Sequence, residues 1–215
     1  MNCLTLSKIH PYFISGAETF SASEIWFNDL VFNKGELCLI AASSGQGKSS
    51  LLSFIFGERK DYSGEIYFDG NEIKSLKNYE WQTVRKEKLS CVFQGLRLFS
   101  DLTAFENIEL KNKITKHKSR EEIEYLFEKI GLQDKINEKT GRLSFGQQQR
   151  VAVIRALCQP FDFILLDEPF SHLDDKNIET VSEIVSSELV EKNAGMLLFS
   201  LGYEYPFNYS RKYRL

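Results

Sequence analysis

Long apolar runs are what this chain lacks. No stretch approaches the ~20 apolar residues that a membrane-spanning helix needs, and the N-terminus has no signal-peptide pattern, so any membrane role is expected to come through a partner. Cysteine is scarce: Cys3, Cys38, Cys91 and Cys158 stand far apart and mostly in apolar runs. That spacing excludes a zinc module or a disulfide framework and reads as buried thiols in a reducing compartment. Charge of one sign is also missing. A net charge of −3 gives no general attraction to nucleic acid or anionic lipid. Repeats, low-complexity segments and heptads are absent as well. What remains is a chain of 215 residues, a length that suits one large domain or one and a half, with 42% hydrophobic content, enough for a full core.

The first chemical signal is Ala42-Ser43-Ser44-Gly45-Gln46-Gly47-Lys48-Ser49. It follows an apolar run, Leu37 to Ala42, that reads as a buried strand, and precedes Leu51, Leu52, Phe54 and Ile55, which read as a helix. A glycine-rich turn there lets backbone N–H groups close around phosphate oxygens. Lys48 reaches the outer phosphates and Ser49 offers a hydroxyl to Mg²⁺, with Ser50 next in line. The pattern G-x-x-x-x-G-K-[ST] has one fault, Ala42 in place of the first glycine, which is expected to distort the strand-to-loop turn slightly.

A second signal is Phe163-Ile164-Leu165-Leu166-Asp167-Glu168. The run is too short for a helix and fits a strand buried on both faces. Asp167 then lies at the strand's C-terminal end, where it is expected to hold Mg²⁺, while Glu168 orients the attacking water and takes its proton. The third signal is Leu143-Ser144-Phe145-Gly146-Gln147-Gln148-Gln149-Arg150. Ser144 and Gln147 have capping-box spacing, so a helix starts here and presents free N–H groups, a second seat for phosphate.

Together these stretches resemble the nucleotide-binding subunits of ATP-binding cassette (ABC) transporters, over essentially all 215 residues. Leu143–Arg150 is similar to the family signature, usually LSGGQ, with Phe145 for the first glycine; Ala42–Ser49 is similar to its Walker A, Phe163–Glu168 to its Walker B, and Ser171-His172-Leu173-Asp174 to its D-loop. Gln94, ending a strand over Leu89–Phe93, resembles the Q-loop glutamine, a further Mg²⁺ contact and a catalytic residue beside Glu168 and Lys48. The resemblance implies an α/β fold: a P-loop NTPase core with a mixed, mainly parallel sheet, an N-terminal antiparallel β-layer and an inserted helical subdomain. It implies ATP and Mg²⁺, and a head-to-tail homodimer in which Ser144, Phe145, Gly146 and Gln147 of one copy close over ATP on the other. It also implies a separate transmembrane permease, a cytoplasmic place on the inner face of the cell membrane, and no nucleic-acid partner. The run Leu96, Leu98, Phe99 and Leu102 is similar to the groove that receives a coupling helix, most like the lipoprotein-releasing and macrolide-export group; packing between lobes is the other reading.

Two positions depart from the pattern. Leu201 follows the strand Gly195–Ser200 where the family has a histidine on the γ-phosphate. Leucine donates no hydrogen bond, so hydrolysis is expected to be slow, or the second cassette supplies the competent site. The aromatic residue that stacks on adenine is assigned to Phe13, with Tyr12 as second choice. A binding-only regulatory cassette and a soluble ABC ATPase remain as alternatives to a transporter subunit.

The rest of the chain fits one ABC ATPase domain. Residues 1–93 and 146–215 form the core with its β-layer, and 95–145 the helical part. Gly16 and Asn33-Lys34-Gly35 read as turns, and Gly64–Phe68 as a strand closed by Asp69-Gly70. Thr103 and Glu106 form another capping box; Ile123, Leu126, Phe127 and Ile130 mark a helix stopped by Gly131, and Ile178, Val181, Val185 and Leu189 mark another. Lys111, Lys113, Lys116, Lys118 and Arg120 read as a solvated loop between helices, or as a contact with a membrane subunit or lipid head groups.

Overall fold

The computed structural model describes residues 1–13 and 22–215; the turn expected at Gly16 lies outside them. The elements in chain order are β1 (Cys3–Pro11), β2 (Asp29–Asn33), β3 (Leu37–Ala41), α1 (Lys48–Ile55), β4 (Tyr62–Phe68), β5 (Asn71–Glu72), α2 (Asn78–Thr83) and β6 (Leu89–Val92). Then come α3 (Ala104–Thr115), α4 (Arg120–Lys129), α5 (Phe145–Leu157), β7 (Phe163–Asp167), α6 (Asp175–Lys192), β8 (Gly195–Ser200) and β9 (Arg211–Arg214).

Parallel and antiparallel strands separate into two sheets. One has the order β2-β1-β4-β5 and is antiparallel, the other β6-β7-β8-β3-β9 and is parallel. Sequence explains the division. β1 buries Leu4, Leu6 and Ile9 and leaves Thr5 and Ser7 less covered, as a strand with one wet face does. β7 and β8 are buried at every residue, because apolar layers cover both faces of the parallel sheet. Leu51, Phe54, Ile66 and Leu165 belong to the core shared with the antiparallel sheet; Val151, Ile154, Leu166 and Val181 belong to the core under the helices. Parallel strands end at the same edge, so the segments after β3, β6, β7 and β8 meet there.

Local signals set the helix ends. Thr103 accepts from the Glu106 N–H at 3.1 Å, and the Glu106 carboxylate accepts from the Thr103 N–H at 2.8 Å. α4 stops at Lys129, with Gly131 at φ 65°, and α6 carries Val181, Val185 and Leu189 into the core. The β6 strand ends at Val92, one residue before the expected Phe93.

The basic stretch departs from a solvated loop. Lys111 and Lys113 belong to α3, and Arg120 opens α4. Lys111 donates to Gln159 Oε1 at 2.9 Å, and Lys118 Nζ lies 2.6 Å from Glu188 Oε1 with both side chains 9% exposed. Lys192 also pairs with Glu188, so a carboxylate on α6 draws this part of the charge inward. Burial alone would raise the Glu188 pKa, yet the hydrogen bonds from Lys118 and Lys192 hold it below the usual value.

Beyond Gln94 the chain takes two consecutive left-handed residues, Leu96 (φ 55°) and Arg97 (φ 52°). Such strain persists where the surroundings over-determine it. Arg155 of α5 donates to the carbonyls of Leu96 at 2.6 Å and Arg97 at 2.7 Å. The Arg97 guanidinium pairs with Glu58 and lies 3.4 Å over the Phe93 ring. Leu96 is therefore buried at 3% exposure while Phe99 remains 58% exposed, splitting the apolar run between core and surface.

Candidate nucleotide site

The P-loop runs from the end of β3 into α1. Ala42 continues the strand's bonding, its N–H donating to Ser200 O at 3.0 Å, and it is absent from the residues with positive φ. The distortion expected at Ala42 is therefore not seen: a Cβ is harmless where φ is negative. Gly47 is different. It caps α1 at φ 99°, and a Cβ there would stand 2.9 Å from Trp26 Cζ2. Trp26, buried at 1% exposure, also donates from its indole nitrogen to Gln46 O at 3.3 Å and so supports the loop from below. This tryptophan has no motif around it and comes from a different part of the chain, so sequence gave no sign of its role.

Within the loop, Gln46 Oε1 accepts from the Ser43 N–H at 2.9 Å, and Lys48 Nζ donates to Ala42 O at 2.8 Å and Ser43 O at 3.3 Å. Ser44 and Gly45 are exposed. Ser50 Oγ accepts from Arg59 at 3.0 Å, which ties it to a surface ion pair with Asp61.

A cavity of about 260 Å³ opens over this loop. Ser44, Gly45, Gly47, Lys48, Ser49 and Ser50 form its floor, and Phe13, Gln94, Glu168 and Leu201 its walls. Five segments far apart in the chain thus line one cavity, four of them following strands of the parallel sheet and the fifth, Phe13, following β1. Phe13 is 61% exposed at the rim; Tyr12 is equally exposed but does not line the cavity. Larger cavities exist, among them two of about 460 and 390 Å³ near the starts of β6 and β7, and none of them is lined by the phosphate loop.

Two carboxylates stand behind the floor. Ser49 Oγ donates to Asp167 Oδ2 at 2.8 Å, while Asp167 Oδ1 is buried without a partner. Glu168, at φ 50°, turns its side chain to Lys48, with Oε1 3.7 Å from Nζ and otherwise unpartnered. Burial raises the pKa of both acids, against the pull of Ser49 and Lys48 on Asp167 and of Lys48 on Glu168. A hydroxyl and a carboxylate oxygen in contact, with a second carboxylate oxygen unsatisfied, suit a hard divalent cation such as Mg²⁺.

Ser144 to Gln147 lie elsewhere and do not line this cavity. The capping box forms as expected: Ser144 Oγ accepts from the Gln147 N–H at 3.3 Å, and Gln147 Oε1 accepts from the Ser144 N–H at 2.9 Å. Gly146 packs against the segment after β7, where a Cβ would meet His172 O at 2.7 Å. Phe145 is 44% exposed, its ring edge-on to His172 at 4.5 Å. The buried Gln149 joins α5 to the acidic segment, donating to Glu168 O at 3.3 Å and accepting from the His172 N–H at 3.1 Å. Gln149 was part of the motif, but its role needed the tertiary contact to become visible.

Comparison with known proteins agrees with this geometry. A sequence model described as ABC transporter matches residues 28–171. The lipoprotein-releasing system ATP-binding protein LolD of Buchnera aphidicola subsp. Schizaphis graminum is 32% identical over 93% of this chain and 86% of its own length. The glutamate/glutamine/aspartate/asparagine transport ATP-binding protein BztD of Rhodobacter capsulatus is 36% identical over 83% of this chain and 68% of its own. MJ0796, solved as a dimeric bacterial ABC transporter cassette, superposes with a TM-score of 0.77 at 30% identity, covering 92% of this chain and 88% of that one. Its post-hydrolysis form, bound to ADP and Pi, gives 0.75. The chain belongs to the ABC transporter family, as one of its ATP-binding subunits.

Proposed function

We propose that this chain binds and hydrolyses ATP as a cassette that works in pairs beside a separate transmembrane permease, on the inner face of the membrane. The observation that carries the reading is the single cavity joining Lys48, Ser49, Gln94 and Glu168, with Asp167 Oδ1 unsatisfied behind it. Lys48 exchanges the carbonyls of Ala42 and Ser43 for outer phosphate oxygens, and the loop N–H groups and Ser50 join it. Ser49 and Asp167, with Gln94, would hold Mg²⁺, which would supply positive charge against the phosphates. Glu168 takes the proton of the attacking water; its raised pKa brings it nearer the pH at which a base works best. Phe13 at the rim offers a ring to the adenine.

Pairing supplies the rest. Ser144, Phe145, Gly146 and Gln147 do not line the cavity of their own chain, so they act on the ATP of a second copy, as the dimeric MJ0796 cassette encourages. Residues 95–145 form the helical part of one ATPase domain, and the exposed Phe99 offers an apolar contact to the permease. LolD and BztD are named for different cargoes at similar identity, so the likeness supports transport and no particular substrate.

The test is pull-down of the tagged chain from detergent-solubilised native membranes, with ATPase assay of the eluate. A stoichiometric protein with several spanning helices supports the reading; recovery of ribosomal or DNA-bound proteins overturns it. A binding-only cassette is the second reading, favoured by Leu201, which gives the cavity wall no donor. Mg²⁺-dependent phosphate release by the purified pair separates the two.

A further inference from the structure

His172 is an exposed residue held in a fixed pose. Gln149 sets that pose, and the direction of each hydrogen bond can be worked out. The His172 backbone N–H donates to Gln149 Oε1 at 3.1 Å, which fixes the orientation of the amide. Its Nε2 then donates to the Glu168 carbonyl at 3.3 Å and to Ser171 Oγ at 3.1 Å. Ser171 Oγ lies 2.9 Å from His172 Nδ1, the one protein acceptor in reach of its hydroxyl proton among the described residues. Using every donor places that proton on the bond to Nδ1. The neutral ring then carries its own hydrogen on Nε2. Among the described residues Nε2 has no partner. The Phe145 ring, edge-on at 4.5 Å, braces the imidazole from the side.

This donor stands in the same patch as the start of α5. A Cβ on Gly146 would touch His172 O at 2.7 Å, so the two backbones are in contact. Meanwhile the cavity over Lys48 has an apolar wall at Leu201. One copy thus carries an oriented imidazole N–H beside Phe145 and Gly146, and each P-loop lacks such a group of its own. We propose that His172 Nε2–H of one copy donates a hydrogen bond to the terminal phosphate of ATP bound by the other copy. The inference rests on the head-to-tail pairing set out under Proposed function. No proton is transferred: the bond stabilises charge that builds on the phosphate oxygens, a task for a preorganised donor. The chain has then moved this donor from the strand end after β8 to the segment after β7, and from the cis to the trans side of the nucleotide.

Pairs of known composition test this. Two differently tagged copies are co-expressed and purified through both tags, one copy carrying Lys48→Ala so that a single P-loop remains competent. His172→Phe keeps an aromatic ring against Phe145 and removes the donor. Placed on the Lys48→Ala copy, opposite the competent P-loop, it is expected to lower ATP turnover by about tenfold or more. The loss there should exceed, by a similar factor, the loss when it sits on the copy with the competent P-loop. Equal losses in both placements, or none in either, overturn the proposal. Ser144→Arg placed in the same two ways serves as the reference. If it too shows no dependence on placement, the head-to-tail reading fails; if it does and His172→Phe does not, only this inference fails.

Discussion

The P-loop and the start of α5, the two phosphate seats of the proposed pair, are satisfied differently. The P-loop is braced by buried charge that is only partly satisfied: Lys48 borrows two backbone carbonyls, and Asp167 Oδ1 and Glu168 Oε1 lack hydrogen-bond partners. The α5 terminus satisfies itself, since Ser144 and Gln147 close on each other and Gln149 uses both ends of its amide. Unsatisfied buried groups cost free energy, so nucleotide and metal, bound as proposed, would relieve that cost. The first turn of α5 carries no such cost, and in the proposed pair it would gain only when a second copy brings the ligand. One seat is tuned to hold, the other to close.

The most severe way to break this comparison is Lys48→Ala. It should abolish measurable ATP binding by calorimetry and turnover with it; retained binding would remove the P-loop from the account. Next is Glu168→Gln, expected to lower turnover by about 10²–10⁴ while leaving binding intact. With ATP this variant should elute as a dimer on gel filtration. A monomer would mean that the α5 seat meets no phosphate. Leu201→His should raise turnover by less than the roughly 10²–10³ that one preorganised donor is worth. An unchanged rate would show that another group already fills that place.

Two smaller predictions concern the fold itself: the paired buried charge at Glu188 and the backbone at Ala42. Glu188 is held below its usual pKa by Lys118 and Lys192. A depressed carboxylate stabilises the fold above the unfolded-state pKa and loses that contribution as pH falls through the folded value. Glu188→Gln should therefore cost about 2–3 kcal/mol at neutral pH in denaturant titration, and the two proteins should converge in acid. Ala42→Gly should cost only about 0.5–1 kcal/mol, through added freedom of the unfolded chain. A gain in stability would restore the idea of strain at Ala42.

Sequence revealed the features that depend on short spacing. The boxes at Thr103 and Ser144 need only four residues each, and the strand Phe163–Asp167 is visible as an apolar run. Features that depend on distant partners stayed hidden. β9 is Arg-Lys-Tyr-Arg, with alternate residues exposed, and is a strand because β3 offers it a parallel edge. Lys118 reads as a surface lysine until α6 places Glu188 beside it. Trp26 stands in no motif, and its support of the loop at Gln46 shows only in the fold. The cavity was legible as separate pieces, since each lies at the end of a strand, and the parallel order of those strands assembled them.

α5 also has a mechanical consequence. Its first turn carries Ser144 and Gly146, and Arg155, about 15 Å along the axis, grips the carbonyls of Leu96 and Arg97. A hydrogen-bonded helix transmits displacement along its length with little loss. In the proposed pair, a second copy pressing on one end would pull, through Arg155, on the loop that contains Gln94. A single stiff rod would then carry news of one nucleotide to the other, without the sheet having to move.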